Sequence, residues 1–141
     1  MDQDIRWQQR YNNYTSILTD LAQHLEIDLG LMKKIDKIAG VKMFELTFEL
    51  LWKLLKDYLV HENIDLGIIS PLNILRTAAS SHVLEIADIN GDVLVQCHKT
   101  RNELVHVYDE EMFEKALATI KTEFLEELVK IDDYFRKILH H

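Results

Sequence analysis

Six apolar residues near the start of the chain, Trp7, Tyr11, Tyr14, Leu18, Leu21 and Leu25, recur at steps of four, three, four, three and four. At 3.6 residues per turn, that spacing puts all six on one face of an α-helix, whereas a strand of period two would scatter them over both faces. A second stripe of the same kind closes the chain: Phe113, Leu117, Ile120, Phe124, Leu128, Ile131, Phe135 and Ile138. Between them, the stretch from Met32 to Glu62 is densest, with Phe44, Leu46, Phe48, Leu50, Leu51, Trp52, Leu54, Leu55, Tyr58 and Leu59. Apolar residues on almost every side predict a central helix, or one whose second face is covered in a dimer. Four Gly and one Pro in 141 residues are too few for a turn-rich all-β chain. The pattern predicts an all-α, up-and-down bundle of four to five helices, one domain over residues 1–141, that dimerises.

The boundaries follow from local chemistry. Gly30 suits the end of the first helix. Gly40 interrupts the second at a cost of about 1 kcal/mol relative to Ala, and predicts a kink or break there. Ser70-Pro71 opens a short third helix: Ser caps free amides and Pro lacks the amide that would be orphaned. Leu72, Leu75, Ala78 and Ala79 mark its face. Asn90-Gly91-Asp92 reads as a turn with Asp92 as a cap, followed by a fourth helix over Val93 to Tyr108. The fifth starts near Asp109-Glu110-Glu111, where negative charge favours the positive end of the helix dipole.

Composition narrows function mainly by exclusion. The lone Cys97 allows no intrachain disulfide, which fits a reducing compartment. No run of about 18 apolar residues is present, and Met1 to Tyr14 lacks the apolar core of a signal peptide, so the expected location is cytoplasmic. His140 and His141 read as a tag remnant and are set aside. The net charge of −8 argues against nonspecific coating of nucleic acid but leaves room for a local basic site. Lys33, Lys34, Lys37 and Lys42 cluster against Asp36 alone, and two readings stand: a solvated helix face, or a patch facing phosphates. GxGxxG, Walker A, HExxH, paired Cys and Gly-x-Ser-x-Gly are all missing. His98 and His106 lack neighbouring ligands, so neither a metal nor a cofactor is expected.

One segment concentrates chemistry: Lys99-Thr100-Arg101-Asn102-Glu103-Leu104-Val105-His106-Val107-Tyr108. On a continuous helix, Arg101 and Tyr108 would stack nearly in line, Asn102 and His106 would touch, and Arg101 would lie about 140° from His106. His106 at the last turn would be favoured in its charged form by the dipole. An imidazole moves protons near neutral pH and a guanidinium grips a phosphate through two parallel hydrogen bonds. RNA supplies its own nucleophile, the 2′-hydroxyl, so cleavage needs only a base, an acid and a charge stabiliser. Two copies across a two-fold axis would double the set. The plain alternative is that His106 is a surface or capping residue, Arg101 an ion-pair partner and Tyr108 a half-buried core residue.

Arg101-Asn102-Glu103-Leu104-Val105-His106-Val107-Tyr108 resembles the Arg-x4-His-x-Tyr signature of the HEPN superfamily. Arg6-Trp7-Gln8-Gln9-Arg10-Tyr11 resembles the opening of one branch, the nucleotidyltransferase substrate-binding proteins. Phe44-Glu45-Leu46-Thr47-Phe48-Glu49-Leu50-Leu51-Trp52-Lys53-Leu54-Leu55-Lys56-Asp57-Tyr58-Leu59 resembles its central helix, and Ser70-Pro71 follows in place. The resemblance implies a dimerising helical bundle in complex with a minimal nucleotidyltransferase, the pair acting as toxin and antitoxin. It implies a metal-independent RNase silenced by transfer of AMP from ATP onto the motif Tyr. Carried over, Arg101 would bind the scissile phosphate and stabilise its developing charge, His106 would be general acid or base, and Asn102 would orient His106 or the phosphate. Tyr108 would accept AMP, whose bulk and charge would then block RNA from the same groove. Lys33, Lys34, Lys37, Lys42 and Lys99 are candidate phosphate contacts. Three readings remain open at this point: an RNase toxin, a non-catalytic subunit that offers nucleotide or substrate to the nucleotidyltransferase, and a plain helical scaffold. Glu49 and Lys53, four apart, read as an ordinary ion pair.

Overall fold

The computed structural model describes residues 2–82 and 88–140, with side chains from residue 5 onward. His141, half of the presumed tag pair, lies outside the described residues. The described elements are α1 (Asp2–His24), a 3-10 turn (Leu29–Leu31), α2 (Lys34–His61), α3 (Pro71–Ser80), α4 (Gly91–Leu104), α5 (Glu110–Thr119), a π-helical turn (Ile120–Phe124) and α6 (Leu125–Leu139). No strand occurs among the described residues. The all-helical expectation holds, with α5, the π turn and α6 running on as one rod.

The two stripes are the inside of the bundle. Trp7, Tyr11, Tyr14, Leu18, Leu21 and Leu25 are all buried, as are Phe113, Leu117, Ile120, Phe124, Leu128, Ile131 and Phe135. α1 packs most extensively on α2, which is the central helix. The fully buried Tyr14 donates its hydroxyl to the Leu128 carbonyl at 2.6 Å, tying α1 to α6. The π turn has a reason in the sequence. Ile120, Phe124 and Leu128 follow at two successive steps of four, and each such step drifts about 40° on a regular helix. The wider π turn takes up that drift and keeps all three side chains inside.

The expected break at Gly40 is absent: α2 passes through it uninterrupted. A Cβ at Gly40 would sit 2.8 Å from Leu117 Cδ2 and 3.2 Å from His24 Cδ2. The glycine serves close approach between α2, α5 and the end of α1. Ser70 caps α3 as expected, accepting from the Asn73 amide at 3.3 Å. At α4 the cap is Asn90, whose side chain accepts from the Asp92 amide at 3.0 Å, while Asp92 lies inside the first turn.

α4 also stops four residues earlier than the expected Tyr108, at Leu104. Asp109 explains the early stop. It caps α5 by accepting from the Glu111 and Met112 amides at 3.0 and 3.2 Å, with an extended backbone. The chain must leave one helix before it can turn into the next, and residues 105–109 supply that turn. No described helix is long and apolar enough to cross a membrane.

Candidate functional site

The early end of α4 divides the Arg101–Tyr108 segment in two. Arg101 and Asn102 stand on the last turn of the helix, while His106 and Tyr108 stand on the exposed turn beyond it. Arg101 and Tyr108 are therefore not stacked along one helix, and the dipole argument made for His106 applies to Arg101, the basic residue of the last turn.

Arg101 reaches across to the central helix. Its Nη2 donates to Glu49 Oε2 at 2.9 Å. The same carboxylate accepts from Trp52 Nε1 at 3.1 Å and pairs with Lys53 Nζ at 3.1 Å. Burial raises the Glu49 pKa, but the hydrogen bonds from Trp52 and Lys53 and the charges of Lys53 and Arg101 outweigh it and hold it below the ordinary glutamate value. Glu49 is thus ionised and shared between two cations, which leaves the cluster with one surplus positive charge. Lys53 and Glu49 are the pair expected from sequence, but Arg101 is their third member.

The second arm of Arg101 extends the chain of contacts. Nη1 donates to Asn102 Oδ1 at 3.2 Å, and Asn102 Nδ2 lies 3.3 Å from His98 Nε2. Asn102 therefore touches His98, one turn back, and not His106 as the spacing led us to expect. The His98 ring lies 5.7 Å from that of Phe48. Burial first, then the charge of Arg101, pull its pKa down. A neutral imidazole accepting at Nε2 from Asn102 carries its proton on Nδ1, an assignment made from the hydrogen bond.

The turn presents the other half. Tyr108 is 60% exposed. Its ring meets Phe113 edge to face at 5.6 Å, and Lys34 Nζ lies 5.3 Å above its centre. The Tyr108 hydroxyl is the main cause that raises the Lys34 pKa. The other candidate lysines are dispersed. Lys37 pairs with Glu110 at 3.2 Å and Glu114 at 3.5 Å, and Lys42 with Glu45 at 3.8 Å. Lys33 joins a capping box, its amide donating to Asp36 at 2.9 Å. Only Lys34 of the four stands against a residue of the motif.

Lys99 belongs to a groove of about 640 Å³ between α3, α4, the turn and α5. Its apolar lining is Leu72, Val95, Val107 and Met112. Its polar lining includes Arg76, His98, Asn102 and His106, with Glu103 as the carboxylate. Asn102 and His106 thus share a cavity without touching, and Arg101 lies behind it, against α2. Among the described residues, no three His, Cys, Asp or Glu side chains are placed to hold a metal ion.

A family model described as nucleotidyltransferase substrate binding protein like matches residues 9–137, from α1 to the end of α6. The chain belongs to this family. A search of curated proteins returns no match. The matched span contains every residue of the site described above, and the family's name ties its members to a nucleotidyltransferase. Within this family member, three contributors escaped sequence reasoning. His98 could have been found, since it lies four residues before Asn102 on one helix. Arg76 carried no local signal, and the contact of Glu49 with Arg101 spans 52 residues.

Proposed function

We propose that the protein is the partner of a minimal nucleotidyltransferase and, as a homodimer, a metal-independent endoribonuclease that adenylylation of Tyr108 switches off. The observation that carries this reading is the exposed Tyr108, two residues from His106 on one short turn, with the Lys34 ammonium over its ring. A hydroxyl so placed is open to a modifying enzyme, and Lys34 suits the phosphate that AMP would bring.

In this reading, His106 of one copy takes the proton from an RNA 2′-hydroxyl as its oxygen bonds to the adjacent phosphorus. The bond to the 5′-oxygen then breaks, and the protonated His106 of the second copy supplies that oxygen with a proton. The products are a 2′,3′-cyclic phosphate and a free 5′-hydroxyl. Arg101, whose charge Glu49 only half answers, stabilises the negative charge that builds on phosphorus oxygens. Asn102 holds Arg101 and His98 in register. AMP on Tyr108 would fill the turn and place an anion where the RNA phosphate must come.

The test is intact mass after co-expression with the candidate nucleotidyltransferase, then RNA cleavage by modified and unmodified protein. A gain of one or more AMP units at Tyr108, with cleavage only by the unmodified form, is the expected result. Absence of both refutes it.

The family's description as substrate binding favours a second reading, a non-catalytic subunit that offers a nucleotide or substrate to the nucleotidyltransferase. A stable complex without cleavage, and nucleotide binding unaffected by Arg101→Ala or His106→Ala, would establish it.

A further inference from the structure

The groove beside the motif combines two features that rarely share one surface. Its apolar lining is Leu72, Val95, Val107 and Met112, on a face that no described element covers. Its lining also includes Arg76 and Lys99, and neither makes an ion pair among the described residues, although the chain carries eight more negative than positive charges. Nearby, Lys37 is answered by Glu110 and Glu114, while Arg101 shares Glu49 with Lys53. Among the described residues that line the groove, Glu103 is the only carboxylate beside Arg76 and Lys99, which leaves that lining with a surplus positive charge. An apolar slot with convergent polar groups and unanswered cations fits a ligand that is flat and apolar in one part and anionic in the next. A nucleotide within a single strand has that form, and strand-binding surfaces pair stacking faces with cations in the same way.

We infer that this groove seats one nucleobase of the RNA substrate next to the scissile phosphate, with Arg76 and Lys99 on the phosphates of the flanking nucleotides. The base lies on Val95 and Met112 beside the His98 and His106 imidazoles. Because His106 lines the same cavity, a base held there brings its own 3′-phosphate to the turn that carries the proposed acid or base. The seat rests on the ribonuclease reading and gives it a position for substrate.

The experiment uses a 5′-fluorescein-labelled 2′-O-methyl hexa-adenylate, which cannot be cleaved because it has no free 2′-hydroxyl. Binding to the full, unmodified chain is followed by fluorescence anisotropy at several KCl concentrations. Val95→Trp, which fills the groove from a half-buried helix position, is expected to weaken binding about tenfold and leave the salt dependence unchanged. Arg76→Gln and Lys99→Gln are each expected to reduce the slope of log affinity against log salt by about 0.7. Circular dichroism melting checks the fold of each variant. If the parent binds and Val95→Trp and Arg76→Gln bind equally well, the seat is elsewhere, whatever cleavage assays say. Should Val95→Trp weaken AMP binding but not the hexamer, the groove serves a free nucleotide and the inference fails. A change in solution mass by Val95→Trp with hexamer binding intact would show the groove covered by a second copy and also overturn it. Loss of hexamer binding in Val95→Trp, with a parent that cleaves no RNA, would keep the seat and remove the ribonuclease reading.

Discussion

Replacing Glu49 by Gln tests whether the site is anchored to the central helix. The Glu49 carboxylate answers three donors: Arg101 Nη2 at 2.9 Å, Trp52 Nε1 at 3.1 Å and Lys53 Nζ at 3.1 Å. An amide of the same shape has one acceptor oxygen, so it must turn its NH2 toward Lys53 or toward Arg101 and Trp52. Hydrogen bonds to a charged group are worth about 1.5–3 kcal/mol each in protected settings. The Arg101 and Glu49 side chains are 25% and 32% exposed, so water screens part of that value. About 1–2 kcal/mol should remain, which for a chain of this size lowers the melting midpoint by about 3–8 °C. The pH dependence separates charge from shape. The Glu49 carboxyl is held below its ordinary value in the fold, so its stabilisation is fully present above the unfolded pKa and fades as pH falls through the lower folded one. The gap between parent and Glu49→Gln should therefore be widest near pH 7 and close below about pH 4. The assay is thermal denaturation by circular dichroism from pH 3 to pH 8. Equal midpoints at pH 7, or a gap that persists undiminished at pH 3, would refute the anchor.

Two further outcomes follow from the same geometry. Tyr108→Phe should abolish adenylylation, read by intact mass, while leaving RNA cleavage by the unmodified chain within about twofold, because no role in proton transfer falls to the phenol. Gly40→Val should cost about 1–3 kcal/mol in chemical denaturation, since the added carbon would stand 2.8 Å from the Leu117 side chain in a filled core; an unchanged or raised midpoint would mean that the helices separate there at no cost.

How far these features could be read in advance depends on the range of the interaction that sets them. The α1 stripe from Trp7 to Leu25 is written as period alone, and burial follows directly. The end of α4 was harder to read because Cys97, Arg101, Leu104 and Tyr108 keep helical spacing across the stop. The signal lay in the next element: a cap at Asp109 requires an extended residue, and a helix running to Tyr108 would leave no chain with which to turn. Gly40 was legible as an exception, yet a kink and a close approach both call for the smallest residue, and only the neighbouring Leu117 and His24 decide between them. The contact of Glu49 with Arg101 had no local trace at all. That long-range contact changes the meaning of the motif. Half of it, Arg101 and Asn102, stands on the last turn of a helix and is braced from α2 and from His98, which suits the charge stabilisation proposed for Arg101. The other half, His106 and Tyr108, sits on an open turn, where under the proposed reading His106 can exchange protons with solvent and Tyr108 can meet a modifying enzyme. A single unbroken helix could not meet both demands, because it would hold Tyr108 as firmly as it holds Arg101.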